Sequence, residues 1–193
     1  SRILVERSAM NRVVEVLEEH ANNLVIGSGL EPETTMGPLC SAKHLEKVEE
    51  FIKQARESSA TIAFGGQRVP RNGEGYFLAP TAIVGPADSD AVVAQEIFGP
   101  VVVVQPFDSF EEALARANDS RYGLTAGVWT RDAAKAHRFA QSVEAGTVWV
   151  NTYADYNAAA PFGGMKDSGG GRDCGPEGIE KFLDTRTVWM SIA

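Results

Sequence analysis

Four consecutive valines, Val101 to Val104, constrain the fold more than any other feature of this sequence. Branched side chains favour extended backbone, and an apolar run with no polar alternation predicts a strand that is buried on both faces, as in a parallel sheet. We expect this strand to extend to Phe107. Shorter apolar runs bounded by glycine or proline predict further strands over residues 61–64, 76–84, 125–130 and 147–151.

Stretches with helical periodicity lie between these strands. Helices are predicted over residues 9–21, 42–57, 109–118 and 132–143. Ser41 is a suitable N-cap for the second helix, and the sequence SFEE at residues 109–112 is a capping box that opens the third. Strands that alternate with helices of this length predict an α/β fold, with a mainly parallel sheet flanked by helices.

Charge and composition exclude several classes of protein. The 193 residues include 26 acidic and 18 basic side chains, a net charge of −8, and no basic stripe of the kind that binds nucleic acid. No apolar run approaches the roughly 18 residues that a membrane-spanning helix needs. The two cysteines, Cys40 and Cys174, form no CxxC pair. We therefore expect no disulfide framework and a reducing, cytoplasmic setting.

Few residues have the spacing of a catalytic or metal site. The three histidines are far apart, which predicts no metal site. Neither cysteine is expected to pair with a histidine close to it in sequence. Pairing with a histidine that is distant in sequence but close in space is left open. Each cysteine is interpreted as a small residue and not as a nucleophile. The glycine-rich segment 157–178 predicts loops, and its stretch GGGRDCG at residues 169–175 lacks the GxGxxG spacing of a dinucleotide loop.

Glu96 has two interpretations from the residues alone. It lies in the sequence QEIFGP, residues 95–100, directly before the valine strand. A carboxylate at the mouth of a strand in an α/β protein can accept hydrogen bonds from both hydroxyls of a ribose, and the adjacent Phe98 can pack on a flat ring. An ordinary surface glutamate beside a core phenylalanine explains the same residues, and without further information this second interpretation is favoured.

Four sequence blocks, in order, resemble a known family. They are EIFGPV at residues 96–101, NDSRYGL at 118–124, GTVWVN at 146–151 and PFGGMKDSG at 161–169, which GRD at 171–173 continues. From Ser1 to about Ser191, the chain resembles the C-terminal part of the NAD(P)-dependent aldehyde dehydrogenase superfamily. The resemblance implies an oxidoreductase that converts an aldehyde to a carboxylic acid through a cysteine thiohemiacetal and thioester, with NAD or NADP as cofactor.

The resemblance also implies roles for particular residues. Glu96 is expected to hold the nicotinamide ribose and Phe98 to pack near the nicotinamide ring, which replaces the ordinary interpretation of both. Tyr156 and Phe162 are expected to line the tunnel for the aldehyde. The glycine-rich segment is expected to pack closely against a cofactor domain instead of cradling phosphate.

One departure from the family pattern is large. Family members are more than twice as long, and their nucleophilic cysteine and general-base glutamate are expected upstream of Ser1. No catalytic residue is therefore assigned in this chain, which we expect to be inactive alone. The expected organisation is a partial catalytic domain over residues 1–167, a glycine-rich connection toward the absent cofactor domain over 168–183 and an oligomerisation strand over 184–193.

Alternatives to this function stay open. One alternative is a non-catalytic remnant that only associates with other chains. The other is part of a coenzyme A-acylating member of the family. The expected partners are a small-molecule aldehyde and further copies of the chain, as a dimer or tetramer. The alternating Val188, Met190 and Ile192 support such copies, because an apolar edge strand is rarely left unpaired. Asp155 either favours a cationic amino-aldehyde or faces solvent.

Overall fold

The computed structural model describes residues 1–70 and 75–192. The chain divides into two compact units, Ser1–Ala113 and Leu114–Ala193, and each is described by itself. Among the helices of the described residues, none is both long enough and apolar enough to cross a membrane.

A four-stranded sheet organises the first unit. Its strands are β1 (Arg2–Glu6), β2 (Thr61–Phe64), β3 (Thr81–Val84) and β4 (Val101–Phe107), and their order is β1-β4-β3-β2. β4 lies between β1 and β3 and is parallel to both, whereas β2 is antiparallel to β3 at one edge. The mainly parallel sheet predicted for this chain is confirmed.

The valine strand is at the centre of this sheet. Val103 aligns with Arg2 of β1 and with Ile83 of β3. Val103 and Val104 are 1% and 0% exposed, as expected for a strand with a parallel neighbour on each side. The loop of residues 95–100 leads directly into β4, so the core strand fixes the end of that loop.

The strand predicted over residues 76–84 is wrong in its first half. Regular strand structure is confined to β3, and the residues before it pair with a loop instead: the Ala79 N–H donates to the Gln67 carbonyl oxygen over 3.0 Å. Pro80 has no N–H group to donate, so the ladder of β3 cannot extend through it.

Three helices belong to the first unit: α1 (Met10–Asn22), α2 (Ala42–Glu57) and the short α3 (Ala91–Ala94), with a 3-10 turn at Arg7–Ala9 before α1. The predicted helices over 9–21 and 42–57 are confirmed. α2 buries an apolar stripe made of Leu45, Val48, Phe51, Ile52 and Ala55. Ser41 caps α2, because its Oγ accepts a 3.2 Å hydrogen bond from the His44 N–H.

The second unit has shorter elements. α4 (Phe110–Asn118) contains the boundary, and after it come β5 (Tyr122–Gly123), β6 (Thr125–Val128), α5 (Ala133–Ser142), β7 (Thr147–Val150), β8 (Phe162–Gly163), β9 (Met165–Lys166), β10 (Arg172–Asp173) and α6 (Gly175–Glu180). β6 and β7 are parallel neighbours. β5 pairs antiparallel with β9, and β8 with β10.

The glycine-rich segment folds back on itself. A Cβ atom at Gly163 would lie 2.1 Å from the Gly171 carbonyl oxygen, and one at Gly146 would lie 1.9 Å from the Gly163 carbonyl oxygen. No side chain fits at these distances, so the backbones approach directly. The segment is rich in loops, as predicted, and contains only the two-residue strands β8, β9 and β10 before α6 begins at Gly175 with Pro176 in its first turn.

Within the described part of the chain, residues 183–192 pair with no strand. Residues 183–192 form neither helix nor strand, and apolar side chains among them are largely exposed: Val188 71%, Trp189 93%, Met190 81% and Ile192 92%. The strand predicted over 184–193 is therefore not formed in the single chain, and its pairing with another chain stays a prediction. Ala193 lies outside the described residues.

Candidate cofactor and aldehyde site

The loop before β4 presents both residues predicted to contact the cofactor. Ile97 is 1% exposed and anchors the loop in the core. On either side of it, the Glu96 side chain is exposed and the Phe98 side chain is 70% exposed. Phe98 is therefore not a core residue, and the ordinary interpretation of it is wrong. Its φ of 58° is in the left-handed region, which is rare outside glycine.

Side chains from the first two turns of α2 hold the backbone of this loop. The Lys47 ammonium donates to the Glu96 carbonyl oxygen over 3.5 Å, and the His44 Nε2 atom is hydrogen-bonded to the Phe98 carbonyl oxygen. The His44 and Phe98 rings are also close, with centroids 6.0 Å apart. The backbone is thus fixed while the Glu96 and Phe98 side chains stay available to a ligand.

These two side chains fit one end of a nicotinamide cofactor. An exposed carboxylate accepts hydrogen bonds from neighbouring ribose hydroxyls, and an exposed aromatic ring offers a face to a flat heterocycle. The fit concerns the nicotinamide and its ribose.

Five aromatic side chains of the second unit form a contiguous group, the aromatic cluster: Trp129, Trp149, Tyr153, Tyr156 and Phe162. The Tyr156 ring lies 5.3 Å from Phe162 and 5.6 Å from Trp149, edge to face in both cases. The structure therefore brings together the two residues predicted to line the tunnel. Tyr156 is 66% exposed, which leaves it accessible to a small molecule.

Trp149 anchors the aromatic cluster and was not predicted to do so. Its side chain is 6% exposed, and its Nε1 atom donates to the Asp155 carbonyl oxygen over 3.0 Å. This bond fixes the segment that carries Tyr153 and Tyr156. The Asp155 carboxylate accepts a hydrogen bond from the Thr152 hydroxyl, and its side chain is exposed. A tryptophan within the TVWV strand, followed closely by two tyrosines, is the sequence signal that indicates such a group.

Asn151 braces the same region. Its Oδ1 atom accepts a 2.8 Å hydrogen bond from the Thr130 N–H, and its Nδ2 atom donates to the Thr130 carbonyl oxygen over 3.0 Å. Asn151 has φ of 57°, a conformation that asparagine adopts more readily than most residues. The end of β7 is thereby tied to the segment after β6, and the chain turns sharply into the aromatic cluster.

The expectation that neither cysteine has a histidine close in sequence is wrong for Cys40. Cys40 directly precedes the N-cap of α2, and His44 lies in the first turn. The Cys40 Sγ atom is 3.2 Å from the His44 Nδ1 atom, four positions along the chain. Recognising Ser41 as the N-cap is the sequence signal for this contact, because it places Cys40 directly before the first turn of α2, which carries His44.

Known proteins resemble this chain closely. The model of the aldehyde dehydrogenase family matches residues 1–188, and the chain therefore belongs to the aldehyde dehydrogenase family. Among its relatives, a betaine aldehyde dehydrogenase of Vibrio vulnificus is 41% identical over 100% of this chain and 40% of its own length. The NADP/NAD-dependent aldehyde dehydrogenase PuuC of Escherichia coli is also 41% identical, over 100% of this chain and 38% of its own length.

A solved structure agrees with this assignment. The NAD+ complex of an aldehyde dehydrogenase from Bacillus cereus has a TM-score of 0.93 and 47% sequence identity, covering 100% of this chain and 39% of that chain. The α/β fold predicted from the sequence is thus the fold of the family. The chain spans about two fifths of the length of the curated relatives it matches.

Proposed function

We propose that this chain supplies the C-terminal part of the catalytic domain of an enzyme that oxidises an aldehyde to a carboxylic acid with NAD+ or NADP+. The observation that carries the proposal is the loop before β4. Two side chains suited to a nicotinamide riboside, Glu96 and Phe98, are exposed there on a backbone that α2 holds. The bound cofactor would accept a hydride from the aldehyde carbon, and this chain would position its nicotinamide end.

Glu96 and Phe98 have separate tasks in this proposal. The Glu96 carboxylate accepts hydrogen bonds from the two ribose hydroxyls, which fixes the rotation of the sugar. The Phe98 ring packs near the nicotinamide and limits where the ring can lie. Both effects raise the fraction of bound cofactor in the reactive geometry, so they act on the rate of hydride transfer as well as on affinity.

The aromatic cluster is assigned to the aldehyde. Tyr156 and Phe162 supply apolar walls, and the Trp149 hydrogen bond to Asp155 holds the segment that carries Tyr156. Aromatic faces also attract cations, and the exposed Asp155 carboxylate adds negative charge nearby. An aldehyde that carries a positively charged nitrogen therefore suits this surface, as the name of the Vibrio vulnificus relative indicates for that protein.

A second function, association between chains, rests on a different observation. The apolar side chains of residues 188–192 are exposed in the single chain. We propose that these residues pair with another copy to form a dimer or tetramer. A cytoplasmic location is part of the same proposal, since both cysteines are free and exposed and free thiols are typical of reducing compartments.

A chimera tests the catalytic proposal. In the Bacillus cereus enzyme, the C-terminal 39% that aligns with this chain is replaced by residues 1–193, and formation of NADH from an aldehyde is measured. We expect the chimera to be active, and E96Q within it to slow hydride transfer about ten-fold or more, because hydrogen bonds to a charged group contribute roughly 1.5–3 kcal/mol each.

The matched control for E96Q is E57Q, which removes another exposed carboxylate at the end of α2. E57Q is expected to leave turnover and NAD+ titrations unchanged. A folded chimera without activity contradicts the proposed function. An active chimera in which E96Q and E57Q behave alike contradicts the role of Glu96 alone.

A further inference from the structure

Cys40 and His44 form a thiol–imidazole pair on the first unit. The Cys40 Sγ atom lies 3.2 Å from His44 Nδ1, within the distance expected for a hydrogen bond that involves sulfur. The position of the thiol is set from both sides. The Leu39 N–H donates to the Tyr76 carbonyl oxygen over 3.0 Å, and Ser41 is the N-cap of α2.

The Phe98 carbonyl oxygen determines which nitrogen of His44 is protonated. A carbonyl oxygen can only accept, so Nε2, which faces it, must carry the hydrogen. In the neutral ring Nδ1 is then an unprotonated acceptor, and it is this atom that faces the Cys40 thiol. A nucleophile next to a base that a third group orients is the arrangement that activates cysteines and serines for attack.

Cys174 provides an internal comparison. Both cysteines are exposed, and both lie at the N-terminal end of a helix. Cys174 is the N-cap of α6 and makes no side-chain capping hydrogen bond. One difference between the two thiols is the histidine beside Cys40.

We propose that Cys40 is a site of covalent modification by low-molecular-weight disulfides, with His44 as its general base. The Cys40 proton passes to Nδ1 while the sulfur attacks one sulfur of the disulfide. A Cys40–S–S bond forms and the disulfide bond breaks. The departing thiolate takes the proton from His44, so one disulfide and one thiol give a mixed disulfide and one thiol. The Cys40 sulfur is oxidised, and the departing half of the reagent is reduced.

The reaction is measured on the reduced, purified 193-residue chain with dithiodipyridine at neutral pH. C174S and C40S isolate the two thiols, and mass spectrometry confirms the modified residue. We expect Cys40 to react about 100-fold faster than Cys174, the lower end of the range for general-base effects. Neither thiol rate requires cofactor or aldehyde, so the result is independent of whether the chimera described above is active.

The role of His44 as general base is tested with H44Q in the C174S background. Glutamine keeps an N–H group for the Phe98 carbonyl but has no basic nitrogen. The Cys40 rate should then fall to within about two-fold of the Cys174 rate, because the general-base contribution is removed. H20Q, the same replacement at an exposed histidine whose Nδ1 contacts the Val16 carbonyl oxygen, should leave the rate unchanged.

Two results would overturn the proposal. One is equal reactivity of Cys40 and Cys174 in the unmodified chain, a comparison that needs no change at His44. The other is a Cys40 thiol that reacts faster than Cys174 and whose rate H44Q does not lower. Circular dichroism checks the fold of H44Q, and H44N serves as a second variant without a base if H44Q does not fold.

Discussion

At the scale of single residues, Phe98 illustrates how the candidate site is prepared. A non-glycine residue in the left-handed region costs on the order of 1–3 kcal/mol, and such residues persist only where the surroundings hold them. Here His44 bonds the Phe98 carbonyl oxygen and Ile97 anchors the loop in the core. In this conformation the Phe98 ring is 70% exposed, and the Glu96 side chain two positions before it is exposed as well. Binding a flat ligand then requires little further ordering of the loop.

Gly99 gives a test of how tightly this loop is held against α2. A Cβ at Gly99 would lie 2.8 Å from Cγ2 of Val48, which is 0% exposed and cannot move into solvent. We expect G99A to destabilise the chain by about 1–3 kcal/mol, as overpacking of cores does. Denaturant unfolding measures this. G29A is the control, because a Cβ at Gly29 meets nothing within 4 Å. Equal stability of the two variants would show that the contact does not constrain the loop.

At the scale of elements, α2 connects the core to the candidate site. One face buries Val48 and its neighbours, its first two turns hold the 96–98 backbone, and the flank of the buried face carries Glu49. Glu49 makes a two-pronged ion pair with Arg68, with both N–O distances 2.6 Å. The side-chain hydrogen bonds from Arg68 lower the pKa of Glu49, so the ionised pair ties α2 to the segment that follows β2.

The Glu49–Arg68 pair predicts a dependence of stability on pH. The folded-state pKa of Glu49 is below its unfolded value, so its contribution is fully present above the unfolded pKa, about 4.3 for glutamate. The contribution is lost as the pH falls through the folded pKa. We expect R68Q to lower the thermal midpoint at neutral pH and this difference to disappear in acid. A difference that persists undiminished at low pH would assign the effect to packing of the arginine stem.

The sequence predicts those elements whose determinants are local. α2 follows from its apolar stripe and Ser41, and β4 from four valines, without knowledge of any partner. β1 was not predicted, because its five residues become a strand only by pairing with β4, far along the chain. The Cys40–His44 contact was missed because a loop residue and a helix residue were considered separately. Glu96 and Phe98 were singled out from their position before β4, and the resemblance decided between their two interpretations. That Phe98 is exposed depends on a backbone angle that composition does not reveal.

At the scale of the whole molecule, the chain has candidate cofactor and aldehyde contacts but no residue assigned as the nucleophile that attacks the aldehyde. Its two cysteines, Cys40 and Cys174, are interpreted from the sequence as small residues and not as the nucleophile of this reaction. We expect the 193-residue chain alone to form no NADH above blank from acetaldehyde or benzaldehyde and NAD+, since loss of a nucleophile lowers rates by about 10⁴- to 10⁶-fold. Turnover that thiol alkylation abolishes would contradict this and would point to one of these two cysteines.

The apolar C-terminal residues determine how copies of the chain are expected to associate. Val188, Met190 and Ile192 alternate with polar or aromatic positions and are 71–92% exposed in the single chain. Their burial in a strand shared between copies would contribute roughly 1.5–3 kcal/mol per side chain. An unpaired apolar strand also leaves backbone donors and acceptors open to other chains. The surface therefore favours pairing with a second copy.

Deletion of residues 186–193 tests this association. We expect the truncated chain to have a lower oligomer mass by size-exclusion chromatography with light scattering at matched concentration, because the exposed apolar strand is what the second copy would pair with. A V188S/M190S/I192S variant is the companion, since it keeps the chain length and backbone while removing the apolar face. If side-chain burial drives pairing, this variant should show the same lowered oligomer mass as the truncated chain. If both variants kept the stoichiometry and thermal midpoint of the unmodified chain, the C-terminal residues would have no role in association.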